Sequence, residues 1–287
     1  MHQKLLRLES LLLNEAPTVV NPQALQSVVA CGVNEEYAYA LLVASAFDLQ
    51  PDNNEDDARF FRDYLLPSIH RQEVTFYSRN PYYANIHVPE AHVGTVRITT
   101  RHYEPYEAFP CGNLQLQPNR SILAPLGFFN QRFDYPTVLQ DERIWMTVTP
   151  NEIITIQPAI DIAHDNVLAF GLGLGYFPFM ATLKPEVNRV TIVDNNPLII
   201  SLFQQHILPQ FPHPQKIELI CDDAFHYAET HHFCLDQATP ANVVFTDLWH
   251  DVSDGAPLYQ RMKSLETLAL PCTQFCYWIE PSILYYL

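Results

Sequence analysis

The stretch from residue 166 to residue 183 reads NVLAFGLGLGYFPFMATL, an apolar run followed by glycines at alternate positions and then by a helical pattern. An apolar run without polar alternation is typical of a strand buried on both faces, as in a parallel sheet covered by helices. Gly171 lets the chain turn sharply out of the strand, Gly173 lets the backbone approach a ligand, and Gly175 lets the next helix pack close to the strand. The stretch therefore predicts a strand, a turn and a helix, with a ligand at the turn.

More apolar runs follow, at intervals that leave room for helices between them. The predicted strands are 166–171, 189–194, 216–222, 241–247 and 274–280. Strands that alternate with helices predict an α/β domain with a doubly wound, mostly parallel, Rossmann-like sheet, which we place at 151–287. Ligands of such sheets bind beyond the carboxyl ends of the strands, where the strand order reverses.

Two zones with other patterns precede this domain. Residues 1–72 are predicted to form a helical module, in which Asn34 is a plausible N-cap and the acids at 55–57 suit the start of a helix. Residues 73–150 are predicted to form a β-rich segment, because short β-type runs alternate there with Pro, Gly and Asn. These runs are 73–78, 94–103, 114–117 and 144–150.

The charge of the chain narrows the choice of partners. Its 287 residues include 16 basic and 32 acidic side chains, a formal net charge of −16. Nucleic-acid binding depends on clustered Lys and Arg, which this sequence lacks, so we expect no nucleic-acid partner. A cationic or small neutral substrate, with an amine as one candidate, suits the charge better. The oligomeric state stays open, a homo-oligomer included.

Location and redox state follow from other features. Apolar runs are shorter than the roughly 20 residues of a membrane span, and the N-terminus carries charges among its leucines, so we predict a cytoplasmic protein without a membrane partner. The six cysteines form no CxxC pair, which predicts reduced thiols. The His-rich segment 226–234 offers metal-ligating residue types, but no other segment has matching spacing, and we predict no metal site.

Acidic residues follow three of the predicted strands. Asp194 ends the second strand, 19 residues beyond Gly175, where a carboxylate can accept hydrogen bonds from both hydroxyls of a ribose. Asp222 and Asp223 follow the third strand, and Asp247 ends the fourth. Each acid alone could be a solvated strand end or a helix N-cap. Together with the glycines, they favour a cofactor that contains adenosine.

Glycine spacing separates two classes of cofactor. The dinucleotide fingerprint GxGxxG has its third glycine where this chain has Tyr176. The pattern GxGxG resembles the first motif of class I S-adenosylmethionine-dependent methyltransferases, and DDA at 222–224 resembles the acidic motif of that family, whose carboxylate meets the adenine amino group. The resemblance implies S-adenosylmethionine or its decarboxylated form as cofactor. The implied cofactor residues are Gly171, Gly173, Gly175, Asp194, Asn195, Asp222, Asp223 and Ala224.

The same resemblance implies a sheet of the methyltransferase type. We expect that sheet to lack the last two strands of the type, because the sequence ends seven residues after Glu280. Within the superfamily, the segment ERIWMTVTPNEIITIQPAI (142–160), which leads from the β-rich zone into the glycine strand, resembles the spermidine synthase branch.

That branch implies a general base, the second Asp of a D-x-x-D pattern after the fourth strand. From Asp247 onward this chain reads DLWHD, so His250 stands at the position of the base and Asp251 stands one residue late. A neutral His250 could still accept a proton, with Asp251 or Asp254 orienting its ring. Alternatively, the segment is a tight loop whose acids serve the turn.

Aromatic residues beside acids mark a candidate substrate region. Tyr106, Glu107, Trp145 and Trp249 are the candidate substrate residues, since ring faces and carboxylates bind cations. The alternative is a hydrophobic seam between domains, and for Trp249 a lid packed on its loop.

The sequence therefore predicts an enzyme, an S-adenosylmethionine-dependent transferase that moves a methyl group to a small-molecule acceptor. His250, Asp251 and Asp247 are its predicted catalytic residues. Two alternatives stay open: a spermidine synthase-like aminopropyltransferase that uses the decarboxylated cofactor and a polyamine, and a non-catalytic protein that retains the cofactor fold.

Overall fold

The structure is a computed structural model that describes residues 2–117, 122–236 and 239–287. Its α-helices are α1 (His2–Ser10), α2 (Pro22–Val29), α3 (Glu35–Ala46), α4 (Glu55–Phe60), α5 (Leu66–Ser68), α6 (Val74–Ser78), α7 (Pro81–Asn85), α8 (Pro150–Ile162), α9 (Tyr176–Thr182), α10 (Pro197–Leu202), α11 (Ala224–His231), α12 (Val252–Leu265) and α13 (Glu280–Ile283). Its β-strands are β1 (Ile69–Arg71), β2 (Ala91–Val93), β3 (Val96–Tyr103), β4 (Phe109–Pro110), β5 (Gln115–Leu116), β6 (Ile122–Leu123), β7 (Leu126–Phe128), β8 (Phe133–Gln140), β9 (Arg143–Thr147), β10 (Asp165–Phe170), β11 (Val187–Asp194), β12 (Ile217–Cys221), β13 (Val243–Thr246) and β14 (Gln274–Tyr277). Helices α1, α4 and α10 continue into π-helical turns at Leu11–Glu15, Phe61–Leu65 and Phe203–Ile207, and 3-10 turns lie at Leu208–Gln210, Pro214–Lys216 and Glu266–Leu268.

Contacts within the chain form two compact units. Unit 1 contains Met1–Tyr77 and His102–Asp134, and unit 2 contains Ser78–Arg101 and Tyr135–Leu287. This division does not follow the three predicted zones, in which 73–150 is one segment. The reason is strand pairing, because β7 of the predicted β-rich zone pairs in parallel with β1 of the helical zone.

Helices and a small sheet build unit 1. Strand β7 lies between β1 and β4, parallel to the first and antiparallel to the second. The predicted N-cap at Asn34 is confirmed, since its side chain accepts a hydrogen bond from the Tyr37 amide (2.8 Å) at the start of α3. The Tyr39 ring of α3 stacks on Phe128 of β7 with centroids 4.3 Å apart, so helix and sheet share one apolar core.

One predicted strand is wrong. The run at 73–78 predicts a strand, but Val74–Ser78 forms α6. Tyr77 is buried there, its ring contacts Phe129 (5.6 Å between centroids) and its hydroxyl donates to Gln72 Oε1 (2.6 Å). Periodicity does not separate helix from strand in so short an apolar run, so tertiary contacts decide. The other predicted runs, 94–103, 114–117 and 144–150, do contain strands β3, β5 and β9.

A five-stranded parallel sheet forms the centre of unit 2. Its strand order is β12-β11-β10-β13-β14, and every neighbouring pair is parallel. All five predicted strands are confirmed within a few residues of their predicted ends. The chain proceeds from β10 to β12 in one direction and from β13 to β14 in the other, so the order reverses between β10 and β13. This is the position at which doubly wound sheets bind ligands.

Burial explains why β10 forms the middle of that sheet. Val167, Leu168, Ala169 and Phe170 have no exposed surface. Full burial of one such large side chain contributes about 1.5–3 kcal/mol, which offsets the entropy of ordering the strand. Helices α8 and α9 pack against β14 and β11. Within the described ranges, no helix combines the length and the apolar character needed to span a bilayer.

A second sheet, most of whose residues belong to unit 2, has the order β2-β3-β8-β9. In the antiparallel pair of β8 and β9, Val138 lies opposite Met146 and Leu139 lies opposite Ile144. Trp145 is therefore the extra residue of a β-bulge. A bulge turns side chains away from the regular alternation of a strand. Here it lies at Trp145 and Met146, which line both cavities described below.

Candidate functional site

The glycine turn after β10 depends on left-handed backbone conformations. Gly171, Gly173 and Gly175 have φ values of +96°, +50° and +74°. A Cβ atom on Gly171 would overlap the carbonyl oxygen of Asp247, and one on Gly175 would overlap the Phe203 ring. The sharp turn predicted at Gly171 thus corresponds to a steric demand, whereas the approach of backbone to a ligand at Gly173 stays a prediction.

Met146 occupies the space above Gly173. A Cβ atom on Gly173 would overlap the Met146 thioether, and the Leu174 amide donates a hydrogen bond to Met146 Sδ (3.3 Å). On the other side, the Tyr82 hydroxyl donates to the Leu174 carbonyl oxygen (2.8 Å). The turn is therefore held by residues of β9 and α7, both of which precede the predicted Rossmann-like domain.

Four backbone amides of the turn region already have acceptors within the protein. They are Gly171 with Val193 O (3.0 Å), Leu172 with Asp194 Oδ2 (2.9 Å), Leu174 with Met146 Sδ (3.3 Å) and Gly175 with Leu172 O (2.9 Å). A phosphate needs free amides of this kind. The turn therefore has few donors left for a phosphate.

Asp194 lies at the carboxyl end of β11, as predicted. Its Oδ2 accepts from the Leu172 amide (2.9 Å) and its Oδ1 from the Asn196 amide (2.8 Å). Burial raises the pKa of Asp194, and the two amide hydrogen bonds oppose that rise without cancelling it. A carboxylate has about four acceptor positions, so each oxygen can still accept a hydrogen bond from a ligand. Asn195, next in the chain, is exposed and, like Asp194, lines the larger cavity described below.

The two acids after β12 have different surroundings. Asp223 is the N-cap of α11: its Oδ1 accepts from the amides of Phe225 and His226 (both 2.9 Å). Asp222 instead turns to His226, whose Nδ1 lies 3.0 Å from each carboxylate oxygen. That hydrogen bond lowers the pKa of Asp222. Asp223 and Ala224 line the large cavity described next.

A cavity of about 430 Å³ opens at the carboxyl ends of the parallel strands. It brings together most of the predicted cofactor residues: Gly171, Gly173, Asp194, Asn195, Asp223 and Ala224. Among the described residues that line it, Arg261 is the basic one, and its guanidinium lies over the Phe225 ring, 4.0 Å from the centroid. The lining carries more acid than base, since Asp247 also faces the cavity.

A smaller cavity of about 180 Å³ adjoins the first. The residues that the two cavities share are Trp145, Met146, Asp247, Trp249 and His250. The smaller cavity adds Ile144, Thr147, Glu152 and Trp278. All three tryptophans of the protein therefore line it, together with two carboxyl groups.

No pattern in the sequence identifies Glu152 as a site residue. It lies in the first turn of α8, where an acid is ordinary because it interacts favourably with the helix dipole. It lies 95 positions before Asp247, and no spacing pattern links the two. The one available signal was its position within 142–160, the segment that leads into the glycine strand.

The segment after Asp247 contains an oriented histidine and a helix cap. His250 Nδ1 lies 2.9 Å from Asp254 Oδ2, and the ring meets the edge of Trp145 at 4.4 Å between centroids. Asp251 is the N-cap of α12 and forms a capping box with Asp254. Burial raises the pKa of Asp254, but the His250 ring and the backbone amides of His250 and Asp251 outweigh it, so the net shift is downward. Of the two predicted orienting acids, Asp254 contacts the ring.

Trp249 is fixed inside unit 2. It is 5% exposed, its ring packs on Gly255, and its Nε1 donates to the Trp278 carbonyl oxygen (3.3 Å). Trp145, in contrast, is 46% exposed. The Trp145 ring therefore faces solvent, whereas the Trp249 ring is packed within unit 2.

Tyr106 and Glu107 belong to unit 1. Tyr106 is 4% exposed, its hydroxyl accepts from Gln26 Nε2 (3.1 Å), and its carbonyl oxygen accepts from the Tyr39 hydroxyl (3.2 Å). Glu107 Oε2 accepts from the Glu104 amide (2.8 Å). These contacts are those of a packed core and a turn, so a substrate role for the two residues stays a prediction.

The His-rich segment shows no site for a metal. Among the described residues, no group of three or more His, Cys, Asp or Glu side chains is arranged to hold an ion. His231 stacks instead on Tyr227, with ring centroids 4.1 Å apart. All six cysteines are free thiols.

No protein-family model and no curated protein matches this chain. Among solved structures, it is similar to precorrin 8W decarboxylase of Methanobacterium thermoautotrophicum, with 17% identity and a TM-score of 0.32 over 45% of this chain and 63% of that chain. It is also similar to spermidine synthase of Thermotoga maritima, with 15% identity and a TM-score of 0.32 over 46% of this chain and 48% of that chain. The chain thus matches less than two thirds of either protein's length, and likeness at this level carries no argument about function.

Proposed function

We propose that this protein is a transferase that uses S-adenosylmethionine to methylate a small acceptor. The observation that carries the proposal is the meeting of the glycine turn, Asp194 and Asp223 around one cavity of about 430 Å³. The cavity lies where the strand order of a parallel sheet reverses, the usual place for a nucleoside ligand.

Donors and charges around the cavity suit a sulfonium nucleoside better than a dinucleotide. A pyrophosphate needs amide donors and positive charge, but the amides of Leu172 and Leu174 are already bonded and carboxylates outnumber Arg261. A ribose needs acceptors for its hydroxyls, which Asp194 offers, and a cationic sulfur is favoured by nearby carboxylates. The residues present therefore fit an S-adenosyl group.

Each part of the site has a distinct task in this proposal. Gly171 and Gly173 let the backbone pass close to the cofactor, Asp194 holds its ribose, and Asp223 with Ala224 borders its adenine. The bound sulfonium supplies an activated carbon, so the protein mainly aligns the acceptor, removes its proton and excludes water. Asn195 covers the exposed side of the ribose site.

The acceptor would lie in the smaller cavity. Its three indoles and the carboxyl groups of Glu152 and Asp247 form a site for an organic cation, because ring faces and negative charge both attract ammonium groups. The protein therefore takes an amine as acceptor. The shared residues Trp145, Met146 and His250 mark where acceptor and cofactor would meet.

The same acidic cavity favours a second candidate, aminopropyl transfer from decarboxylated S-adenosylmethionine to a polyamine. Arg261 bears on the choice, because a cofactor with a carboxylate gains from a basic side chain and a decarboxylated one does not. A non-catalytic binding protein is the third candidate, motivated by the use of Asp251 as a helix cap.

Calorimetric titration tests the proposal. The ligands are S-adenosylmethionine, its decarboxylated form, methylthioadenosine and NAD, each in a separate run. We expect the carboxylated form to bind best, and Asp194→Ala to weaken it about tenfold or more, since a hydrogen bond to a charged group contributes about 1.5–3 kcal/mol. Asp161→Ala, an exposed acid on α8, is the matched control and should bind as the wild type does. Binding of NAD alone, or undiminished affinity in Asp194→Ala, would contradict the cofactor site.

A further inference from the structure

The smaller cavity is lined on one side by buried indoles and on the other by the exposed residues Ile144 and Trp145. Two of its indoles already use their N–H groups within the protein: Trp249 donates to Trp278 O (3.3 Å) and Trp278 donates to Thr155 Oγ1 (2.8 Å). Both tryptophans are 5% exposed. Their rings thus present apolar surface to the cavity, and a charged group inside it is poorly hydrated.

Glu152 and Asp247 are the two carboxyl groups of this cavity. In the described ranges 2–117, 122–236 and 239–287, neither side chain forms a hydrogen bond or an ion pair, and each residue is half-buried. Burial raises the pKa of Glu152, and the charge of Asp247 raises it further. Burial also raises the pKa of Asp247, to about 7. The charge of one carboxyl group thus opposes the ionisation of the other, so near neutral pH the pair retains one proton.

The other candidates for a base have different surroundings. Asp251 caps α12 with its Oδ1, which accepts from the Ser253 amide (2.6 Å). His250 also lines the cavity, but its side chain is 43% exposed and its Nδ1 is bonded to Asp254. His250 thus lies on the solvent side, whereas the carboxyl groups lie among the indoles.

We infer that Glu152 and Asp247 act together as the proton acceptor of this site, and that the pair replaces the second Asp of the D-x-x-D pattern. The inference rests on the proposed function, because it concerns how the acceptor amine loses its proton. Glu152 is the new catalytic residue, and the pair acts as one unit with one negative charge before the reaction.

The charges and electrons of the step balance. An ammonium group (+1) enters beside the pair (−1), and one of its protons passes to the pair, which becomes neutral. The lone pair thus freed on nitrogen forms the bond to the transferred carbon. The bond between that carbon and the positive sulfur breaks, and its electrons stay on sulfur as a neutral thioether. The product nitrogen carries the remaining positive charge.

The three tryptophans provide a readout that needs no cofactor. Because all of them line this cavity, intrinsic fluorescence reports its charge and its contents. We expect the fluorescence of the ligand-free protein to change with a midpoint near neutral pH. Asp247→Asn and Glu152→Gln should each remove that change or move it by at least about one pH unit. His250→Gln should retain it, and a transition lost only in His250→Gln would assign the proton to the histidine and overturn the inference.

The fluorescence change has to be assigned to titratable groups of this cavity and not to groups elsewhere in the protein. The titratable groups that line it are Glu152 from α8 with Asp247 and His250 after β13, and Asp254 is bonded to His250. The larger cavity adds Asp194, Asp223 and Arg261. Glu142→Gln, an exposed acid before β9 that pairs with Arg97, is the matched control and should titrate as the wild type does.

A binding measurement separates this inference from the proposed function. With n-butylamine and 1-butanol as probes at neutral pH, we expect Glu152→Gln to bind the amine at least about twofold more weakly and the alcohol equally well. The Asp247 carboxyl that remains has a pKa of about 7, so it is only partly ionised and supplies less than the full negative charge of the pair. Glu152→Asp should recover part of the amine affinity. Equal loss for both probes would show a merely structural role and overturn the inference.

Cofactor titrations complete the separation. Wild type that binds no S-adenosyl ligand, yet shows the amine preference and its loss in Glu152→Gln, would refute the proposed function and leave the carboxyl pair as a cation site without transfer chemistry. A Glu152→Gln variant that methylates an amine as fast as the wild type does, at every pH, would refute the pair as the proton acceptor. The proposed function would then still stand.

Discussion

Carboxyl groups of unit 2 fall into two sets with different surroundings. Asp194, Asp223 and Asp251 each accept hydrogen bonds from backbone amides two or three residues away, and Asp194 also accepts one from the neighbouring glycine turn. Glu152 and Asp247 line a cavity walled by indoles and accept no such bond within the described residues. The first set has structural work to do whatever the protein binds. The second set has no such role, and its carboxyl groups face a cavity in which a ligand can contact them.

An acidic residue in the sequence can therefore have either a structural role or a role in ligand binding. An acid at a strand end is equally a ligand contact and a helix cap, and Asp223 shows that one side chain can line a cavity and cap a helix. Asp251 is a clearer example of a helix cap, since both residues whose amides donate to its side chain, Ser253 and Asp254, belong to α12. Position along the chain therefore does not identify the acids that are available for chemistry.

The largest effect is expected from Gly171→Ala, which moves Asp247 without changing any carboxyl group. The new Cβ would overlap the Asp247 carbonyl oxygen at a φ of +96°. We expect S-adenosylmethionine binding to be lost and the free energy of unfolding to fall by about 2 kcal/mol or more. Calorimetry and urea unfolding measure both. Gly32→Ala is the matched control, since Gly32 has the same φ and open space around it. It should lose only the strain energy, and an equal effect of the two variants would show that the overlap is unimportant.

The second-largest effect is expected in the pH dependence of the free energy of unfolding, which should differ between the two sets of acids. Burial raises the pKa of Asp247 to about 7, so between about pH 4 and pH 7 the folded protein holds a proton that the unfolded chain has released. The folded state then binds more protons than the unfolded state, and stability falls as the pH rises through this window. Asp247→Asn should remove that part of the slope.

Urea unfolding at pH 5, 6, 7 and 8 tests this expectation. Asp223→Asn keeps a good helix cap and should give a curve parallel to that of the wild type. Parallel curves for the wild type and Asp247→Asn would mean that Asp247 is not protonated in the folded state.

A smaller effect is expected at the helix cap. Asp251→Ala removes one half of the capping box of α12 and should lower the free energy of unfolding by about 1 kcal/mol. Asp251→Asn should recover most of the loss, because Asn also caps well. A variant that keeps full stability but loses methyl transfer would instead support the catalytic role that the sequence predicts for Asp251.

The smallest effect is expected for Asp222→Ala. Asp222 pairs with His226 one turn later, and the His226 side chain is 63% exposed. Such a pair contributes about 0.5 kcal/mol or less, so unfolding should change little. Affinity for S-adenosylmethionine should change less than about twofold. A tenfold loss would return Asp222 to the adenine site and place Asp223 in a purely structural role.

Most of the parallel sheet could be predicted from the sequence, and the reason is physical. Strands buried on both faces read as unbroken apolar runs, and each of the five runs in the chain forms one strand of the sheet. The glycine turn was predictable because its left-handed conformations admit few other residues. Asp194 followed from its place at the end of a predicted strand.

Other parts depend on long-range contacts that leave no local pattern. The run at 73–78 becomes a helix because Tyr77 packs into unit 1. Glu152 joins Asp247 across 95 positions, and Met146 reaches the glycine turn through a β-bulge that no propensity foretells. Tyr106 is an aromatic residue beside an acid, as in cation-binding sites, but it is buried like a core residue.

The way in which the chain alternates between the units has a consequence for biosynthesis. Residues 78–101 belong to unit 2, but the strands of its parallel sheet extend from residue 165 to residue 277. At a synthesis rate of about 5–20 residues per second, α7 emerges roughly ten seconds or more before the last strand. In the first part of that interval, until residue 174 has been made, Tyr82 lacks the Leu174 carbonyl oxygen to which its hydroxyl later donates. The nascent chain thus carries an early aromatic segment whose partner is made later, and a holding chaperone that binds aromatic residues would act on this segment.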